Sequence, residues 1–199
     1  MTTILKGNIV SAPVCGRLDV TEHGYLIAEN GVITGVYPVL PEQYAGAAVE
    51  DYGDDLIVQS FADLHLHGAQ YPMLGMGMDR PLLDWLNAYA FPTEARFADT
   101  DYARTVYRQL AHELAARGTT RVCMFASLHT DATLILMDEL EKAGITGYVG
   151  KVNMDRNAAP GVLEESTEES MGETVRWLEA CGDFQHVKPM LTPRFTPSC

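Results

Sequence analysis

The sequence predicts an α/β fold in two parts, a small β unit over residues 1–55 and a parallel β/α array over residues 56–199. Three observations carry that expectation. The first 55 residues alternate short apolar runs with turn residues and show no helical period. An apolar stretch, Leu56–His67, then ends in two histidines. From Thr100 onward, helical stripes alternate with short buried runs. That rhythm belongs to parallel strands joined by right-handed crossovers.

In the first part, Ile4–Val10 reads as a strand. Gly24–Ala28 and Val32–Tyr37 flank Glu29-Asn30-Gly31, and Asn-Gly between two apolar runs is a strong hairpin signal. Pro38, Pro41 and Gly46 break the pattern after Tyr37. So few strands do not make a stable sandwich by themselves.

Leu56–His67 reads as one strand, whose alternate side chains leave on opposite faces. Leu56, Val58, Ser60, Ala62, Leu64 and Leu66 form an apolar face suited to lie under helices. Asp63, His65 and His67 leave together on the other face, at the C-terminal end. A lone His-x-His is a weak motif, because histidines fall this close by chance. Its position strengthens it: the pair closes an apolar strand and precedes a loop rich in Gly and Pro. In a parallel barrel, such a place holds a metal at the mouth.

The long segment Gly68–Asp99 is expected to be functional, because loops of that length are uncommon in compact domains. Pro81 suits the first position of a short helix, Leu82–Tyr89. Its Leu82, Leu83, Trp85, Leu86 and Tyr89 either cap a pocket or pack into the core, with packing the simpler reading. The regular part comes next. Asp101–Arg117 carries a helical stripe, with Thr100 and Gly118 as its caps. Thr120–Ala126 is a strand, Asp131–Ala143 a helix, and Tyr148–Met154 a strand. Thr167–Ala180 is a third helix and Val187–Thr192 a further strand. Four parallel strands amount to the first half, strands one to four, of a TIM-type (β/α)8 barrel, and 199 residues fall short of the roughly 250 a complete one needs.

Composition excludes several functions. The chain carries 14 Lys+Arg against 27 Asp+Glu, a net charge of −13, which repels a phosphate backbone and argues against nucleic acid as partner. No apolar run approaches the ~20 residues of a membrane span. Cys15, Cys123, Cys181 and Cys199 are scattered, with no Cys-x-x-Cys and no leader ahead of them. Reduced thiols and a cytoplasmic location are therefore expected.

Barrels collect ligands at the C-terminal ends of their strands. Four groups fall there: His65, His67 and Gln70; His129; Asp155 and Arg156; Arg194 and Phe195. Neutral imidazoles bind zinc, which brings the pKa of water towards ~7. Gln70 offers a donor and an acceptor, which suits a heterocycle carrying both. Arg194 offers a rigid fork of donors, and Phe195 a face for a planar ring. His129 is equally readable as a neighbour of a helix cap, and Asp155 with Arg156 as a pair bonded to each other. Arg194 is the hardest to dismiss, having no evident structural partner.

These residues resemble a known family. Ala62-Asp63-Leu64-His65-Leu66-His67 is similar to the first-strand metal motif of the amidohydrolase superfamily. His67-Gly-Ala-Gln70-Tyr71, Phe91-Pro92-Thr-Glu94, His129-Thr130-Asp131 and Thr192-Pro193-Arg194-Phe195 narrow the resemblance to the guanine deaminases, from about residue 56 onward. A Pro-Gly usual before the metal motif is Gln59-Ser60 here. The resemblance implies that His65 and His67 are zinc ligands, with one Zn2+ per complete site. It implies that His67, Gln70, Arg194 and Phe195 contact the purine. The implied reaction of purine catabolism converts guanine and water to xanthine and ammonia, with a glutamate moving the proton. Residues 1–55 would belong to the β-sandwich of the superfamily.

The resemblance also implies residues that are absent. A further zinc histidine and aspartate, another active-site histidine and the catalytic glutamate are expected beyond Cys199. The catalytic residue within this chain is therefore unknown, and His186 lies at the wrong end of its strand. The expectation is a fragment that folds poorly as a monomer or associates with another copy, as a homo-oligomer, to cover its open edges. The rivals are another amino-heterocycle deaminase or chlorohydrolase of the superfamily, and an inactive assembly module.

Overall fold

Asn30 and Gly31 both adopt positive φ, 52° and 82°, as a two-residue type I′ hairpin requires. They join β2 (Arg17–Glu29) to β3 (Val32–Tyr37). A computed structural model describes residues 1–199, which divide into two units, Met1–Gln59 and Ser60–Cys199.

The first unit is one four-stranded sheet in the order β3-β2-β1-β4, with β1 at Thr2–Val14 and β4 at Glu50–Val58. β4 runs parallel to β1, pairing Leu56, Ile57 and Val58 with Asn8, Ile9 and Val10. The single strand expected over residues 56–67 is therefore two. Its first three residues complete the edge of β1, polar Gln59 and Ser60 interrupt, and β5 (Phe61–His67) begins a new sheet. Ile4, Ile9 and Ile27 are buried, while Val20, Val36, Leu56 and Val58 are exposed.

The second unit is α/β with a parallel sheet. β5, β6 (Thr119–Phe125), β7 (Thr146–Gly150) and β9 (Val187–Pro189) lie side by side in chain order. The connections carry α3 (Thr100–Ala116), α4 (Thr130–Lys142) and α5 (Thr167–Ala180). Their apolar stripes meet the sheet in one core, where Tyr107, Leu110, Leu136, Leu140 and Trp177 pack on Val122, Met124 and Val149. The cap of α3 is Asp99 rather than Thr100: its carboxylate accepts from the Asp101 and Tyr102 amides at 2.9 and 3.1 Å.

Two expected strands are broken. The run over 148–154 divides at Lys151 into β7 and β8 (Val152–Asn153), and the last strand divides into β9 and β10 (Thr192–Pro193). β8 and β10 pair with each other as a separate parallel ribbon, secured where the Thr192 hydroxyl donates to the Lys151 carbonyl at 2.6 Å.

After β5, a 3-10 turn spans Gly68–Met73. The short helix continues further than expected, as α1 (Leu82–Trp85), a π turn over Leu86–Ala90 and α2 (Phe91–Ala95). Pro92 explains the π turn: it lacks an amide hydrogen and its ring clashes with the carbonyl four residues back, so the helix widens ahead of it. Pro81 is the N-cap residue, not the first helical one. Leu86, Ala90 and Phe91 pack with Met73, Val152 and Met154 in a second cluster, which seats this helix on the β8–β10 ribbon. No helix is long and apolar enough to cross a membrane, and the four cysteines are unbridged.

Candidate active site

The strand period puts His65 and His67 on one face of β5. Their rings meet edge-on at 5.2 Å between centroids. Phe125, at the end of β6, packs edge-on against both, at 5.5 and 4.9 Å. The three rings form the floor of a cavity of about 400 Å³ that Gln70, Arg194 and Phe195 also line. Leu82, Leu83, Trp85 and Leu86 complete its wall. The choice between capping and packing for that helix thus falls differently residue by residue. Leu86 packs into the core, while Leu82 and Leu83 stay exposed at the mouth.

Asp63 does not line the cavity that the two histidines share. The register of β5 slips between Asp63 and Leu66. The Asp63 carboxylate instead accepts from the His65 amide at 3.1 Å. Asp63 lines a second cavity with Leu66, Leu110 and Arg117, on the side facing α3, and His67 and Gln70 line this cavity as well as the first. Leu64 is exposed rather than beneath a helix.

Burial, with the Arg194 cation and His65 nearby, lowers the His67 pKa to about 4. The ring is therefore neutral at pH 7, the form that ligates metals. Its Nδ1 is buried and has no hydrogen-bond partner. Two imidazoles, that of His67 neutral and with an orphaned ring nitrogen, fit part of a zinc donor set. They do not fill it, since a catalytic zinc takes three protein ligands and no three His, Cys, Asp or Glu side chains of this chain stand close enough together to hold a metal ion.

The residue that organises the cavity is Glu94, on α2, 1% exposed. Its carboxylate accepts from Gln70 Nε2 at 2.8 Å and from Arg194 Nη2 at 3.0 Å, and a contact with Arg194 Nη1 makes the pair bidentate. Arg194 also stands over the Phe91 ring, 5.2 Å from its centroid. Arg194 therefore has a structural partner, contrary to the expectation from sequence. Glu94 lies 24 residues from Gln70 and 100 from Arg194 along the chain, so no local spacing reveals the triad. The available signal is a lone carboxylate between two aromatic residues, Phe91 and Phe97.

The remaining mouth residues stand apart. His129 is the N-cap residue of α4 but its side chain makes no capping bond. Its Nε2 is buried without a partner, and burial, then Lys151, lowers its pKa. It lines a different cavity, with Glu164, Glu173 and Arg176. Asp155 and Arg156 bond to each other at 2.6 and 3.0 Å. His186 precedes β9, and its amide donates to Glu141.

Residues 56–199 match the model of the amidohydrolase family. This chain belongs to that family. Its relatives include the guanine deaminase of Rattus norvegicus, 43% identical over 147 residues, which are 73% of this chain and 32% of the relative. The guanine deaminase of Dictyostelium discoideum is 38% identical over 98% of this chain and 48% of its own length. Among solved structures, a guanine deaminase from C. acetobutylicum with guanine bound in its active site superimposes with a TM-score of 0.94 and 40% identity. That match covers 100% of this chain and 48% of the other. The chain thus spans a third to a half of the length of the relatives it matches.

Proposed function

We propose that this chain is the N-terminal part of a zinc-dependent guanine deaminase that converts guanine and water to xanthine and ammonia. The observation that carries the reading is the convergence of His65, His67, Gln70, Arg194 and Phe195 on one cavity. His65 and His67 would hold the metal, with the remaining ligands supplied by the rest of the protein. A zinc ion bound there supplies Lewis acidity, which activates water at neutral pH. Gln70 and Arg194 hold the edge of the heterocycle by hydrogen bonds, and Phe195 offers its ring plane. The Trp85 and Leu86 wall excludes water from the buried side. This reading assigns the proton-shuttling role to no residue of this chain.

The sequential order β5-β6-β7-β9 supports reading residues 60–199 as the first four strands of a (β/α)8 barrel. A doubly wound sheet would instead reverse its order at a switch point. The exposed apolar residues of the first unit support its being one layer of a β-sandwich. Phe61 and Leu64 on β5, and Leu191 beyond β9, are exposed, which supports association through these edges, with the missing half or with a second copy. Four unbridged cysteines support a reducing, cytoplasmic setting.

The test is a panel of guanine, cytosine, adenine nucleosides and triazines, offered to this chain joined to the remaining barrel strands or mixed with them. Xanthine from guanine is expected. Turnover of another heterocycle with guanine untouched would remove guanine as the substrate.

A further inference from the structure

The Gln70–Glu94–Arg194 triad constrains more than position. A primary amide can present either its oxygen or its NH2 to a ligand. A carboxylate in an ion pair accepts hydrogen bonds and donates none. Gln70 must therefore turn Nε2 towards Glu94, as the 2.8 Å contact records, and its Oε1 makes no hydrogen bond within the chain. Arg194 engages the same carboxylate through both Nη atoms. That end-on pairing uses two of its five N–H groups and leaves donors on its Nε side. Gln70 and Arg194 both line the cavity floored by His65 and His67. Glu94 itself is buried behind them and is absent from the lining.

We infer that Glu94 is a positioning residue that fixes the hydrogen-bonding polarity of this cavity, Gln70 as acceptor and Arg194 as donor. The cavity thereby selects a heterocycle presenting a ring N–H beside a carbonyl, an oxopurine edge. An aminopurine presents the reverse, a bare ring nitrogen beside an amino group, and would set acceptor against acceptor and donor against donor. This inference rests on the purine-binding reading of the cavity and adds to it the residue that discriminates. It also replaces the expectation that Gln70 serves as donor and acceptor alike.

Geometry explains why an unliganded chain would keep this arrangement. Glu94 sits one turn beyond the π turn, on a helix seated by Leu86, Ala90 and Phe91. Gln70 sits in the 3-10 turn after His67. Arg194 comes directly after β10, and its amide donates to the Asn153 carbonyl at 3.3 Å. Three separate elements thus converge on one carboxylate, and the orientation of the amide is set before any ligand arrives.

The probes are hypoxanthine and adenine, which differ at this edge alone and lack the 2-amino group, so binding is read without turnover. Both are titrated into the 199-residue chain and followed by the side-chain resonances of Gln70 and Arg194. The native chain is expected to bind hypoxanthine at least tenfold more tightly than adenine. In Glu94→Gln the amide at position 70 is free to turn, and the ratio should fall towards one. Gln70→Met buries no charge and serves if Glu94→Gln fails to fold; it too should bring the ratio towards one. A native chain with no oxopurine preference, or either folded variant keeping the native ratio, overturns the inference. If the native chain prefers hypoxanthine but the completed protein leaves guanine untouched, the deaminase reading falls and this one stands. Guanine turnover without oxopurine preference keeps the deaminase reading and removes this one.

Discussion

Lys151 and Glu164 form an ion pair at 2.5 Å with side chains only 1% and 5% exposed. Lys151 stands at the break between β7 and β8, and its Nζ also donates to the Val152 carbonyl at 3.2 Å. Glu164 accepts in addition from the Met154 amide at 3.0 Å. The pair thus ties the loop ahead of α5 to the point where the parallel sheet hands over to the β8–β10 ribbon. That ribbon carries Arg194, so the pair supports the candidate site from behind.

Removing one partner leaves the other as an unpaired buried charge. Lys151→Met or Glu164→Leu should each cost about 3–5 kcal/mol, while the double variant should recover most of the loss. Urea denaturation of the three variants checks this. Additive losses in the double variant would show that the two side chains are not coupled in the folded state.

Gly147 and Gly144 should answer alanine very differently. Gly147, in β7, has φ 143°, and a Cβ there would lie 2.0 Å from the Val122 carbonyl oxygen of β6. Relief requires the two strands to separate, so Gly147→Ala is expected to cost more than about 4 kcal/mol, in the exceptional range for one substitution. Gly144 ends α4 at φ 74° with nothing near its Cβ position, and Gly144→Ala should cost only the left-handed backbone penalty, about 1–2 kcal/mol. Thermal unfolding of both variants reads the difference; equal losses would contradict the β6–β7 contact.

Asp155 gives a pH signature. Hydrogen bonds from Arg156 and from Thr167 lower its pKa from 3.8 to about 2. A folded-state pKa below the unfolded one means the contribution is complete above pH 3.8 and is lost as the pH falls through about 2. Asp155→Asn should therefore be less stable than the native chain at neutral pH, with the two converging between pH 4 and 2. A stability difference that stays constant across that window would mean the carboxylate does not titrate with folding.

Periodicity made the elements legible wherever one repeat ran unbroken. Val32–Tyr37 and Thr167–Ala180 come directly from their stripes. It failed where the backbone departs from its repeat while the side chains stay apolar. Tyr148–Met154 reads as one strand because nothing in the sequence pattern marks Lys151 as the hinge of a buried ion pair. The slip between Asp63 and Leu66 moved a carboxylate away from the histidines without leaving a Gly or Pro as a sign. His65, His67, Gln70, Arg194 and Phe195 were legible as candidates because strand ends are where barrels gather ligands. Glu94 was not, since its meaning depends on partners that only tertiary folding brings to it.

The histidine pair sets the last expectation. His67 is held neutral by burial and by Arg194, and His65 shares its face at 5.2 Å, so the buried ring is free to ligate at neutral pH without losing a proton first. Two imidazoles form half of a tetrahedral set, and no third ligand from this chain reaches them. The 199-residue chain should therefore take up less than one equivalent of zinc in equilibrium dialysis, release it to a weak chelator, and form no measurable xanthine. His65→Ala and His67→Ala should each abolish the uptake that remains. On the proposed barrel reading, adding the further strands in trans should raise zinc to one equivalent per site, because the ligands assigned to them would close the coordination sphere. Tight, stoichiometric zinc in the isolated chain would show instead that a second copy or a rearranged side chain completes the set, and the two histidines would no longer be the chain's whole contribution to the metal.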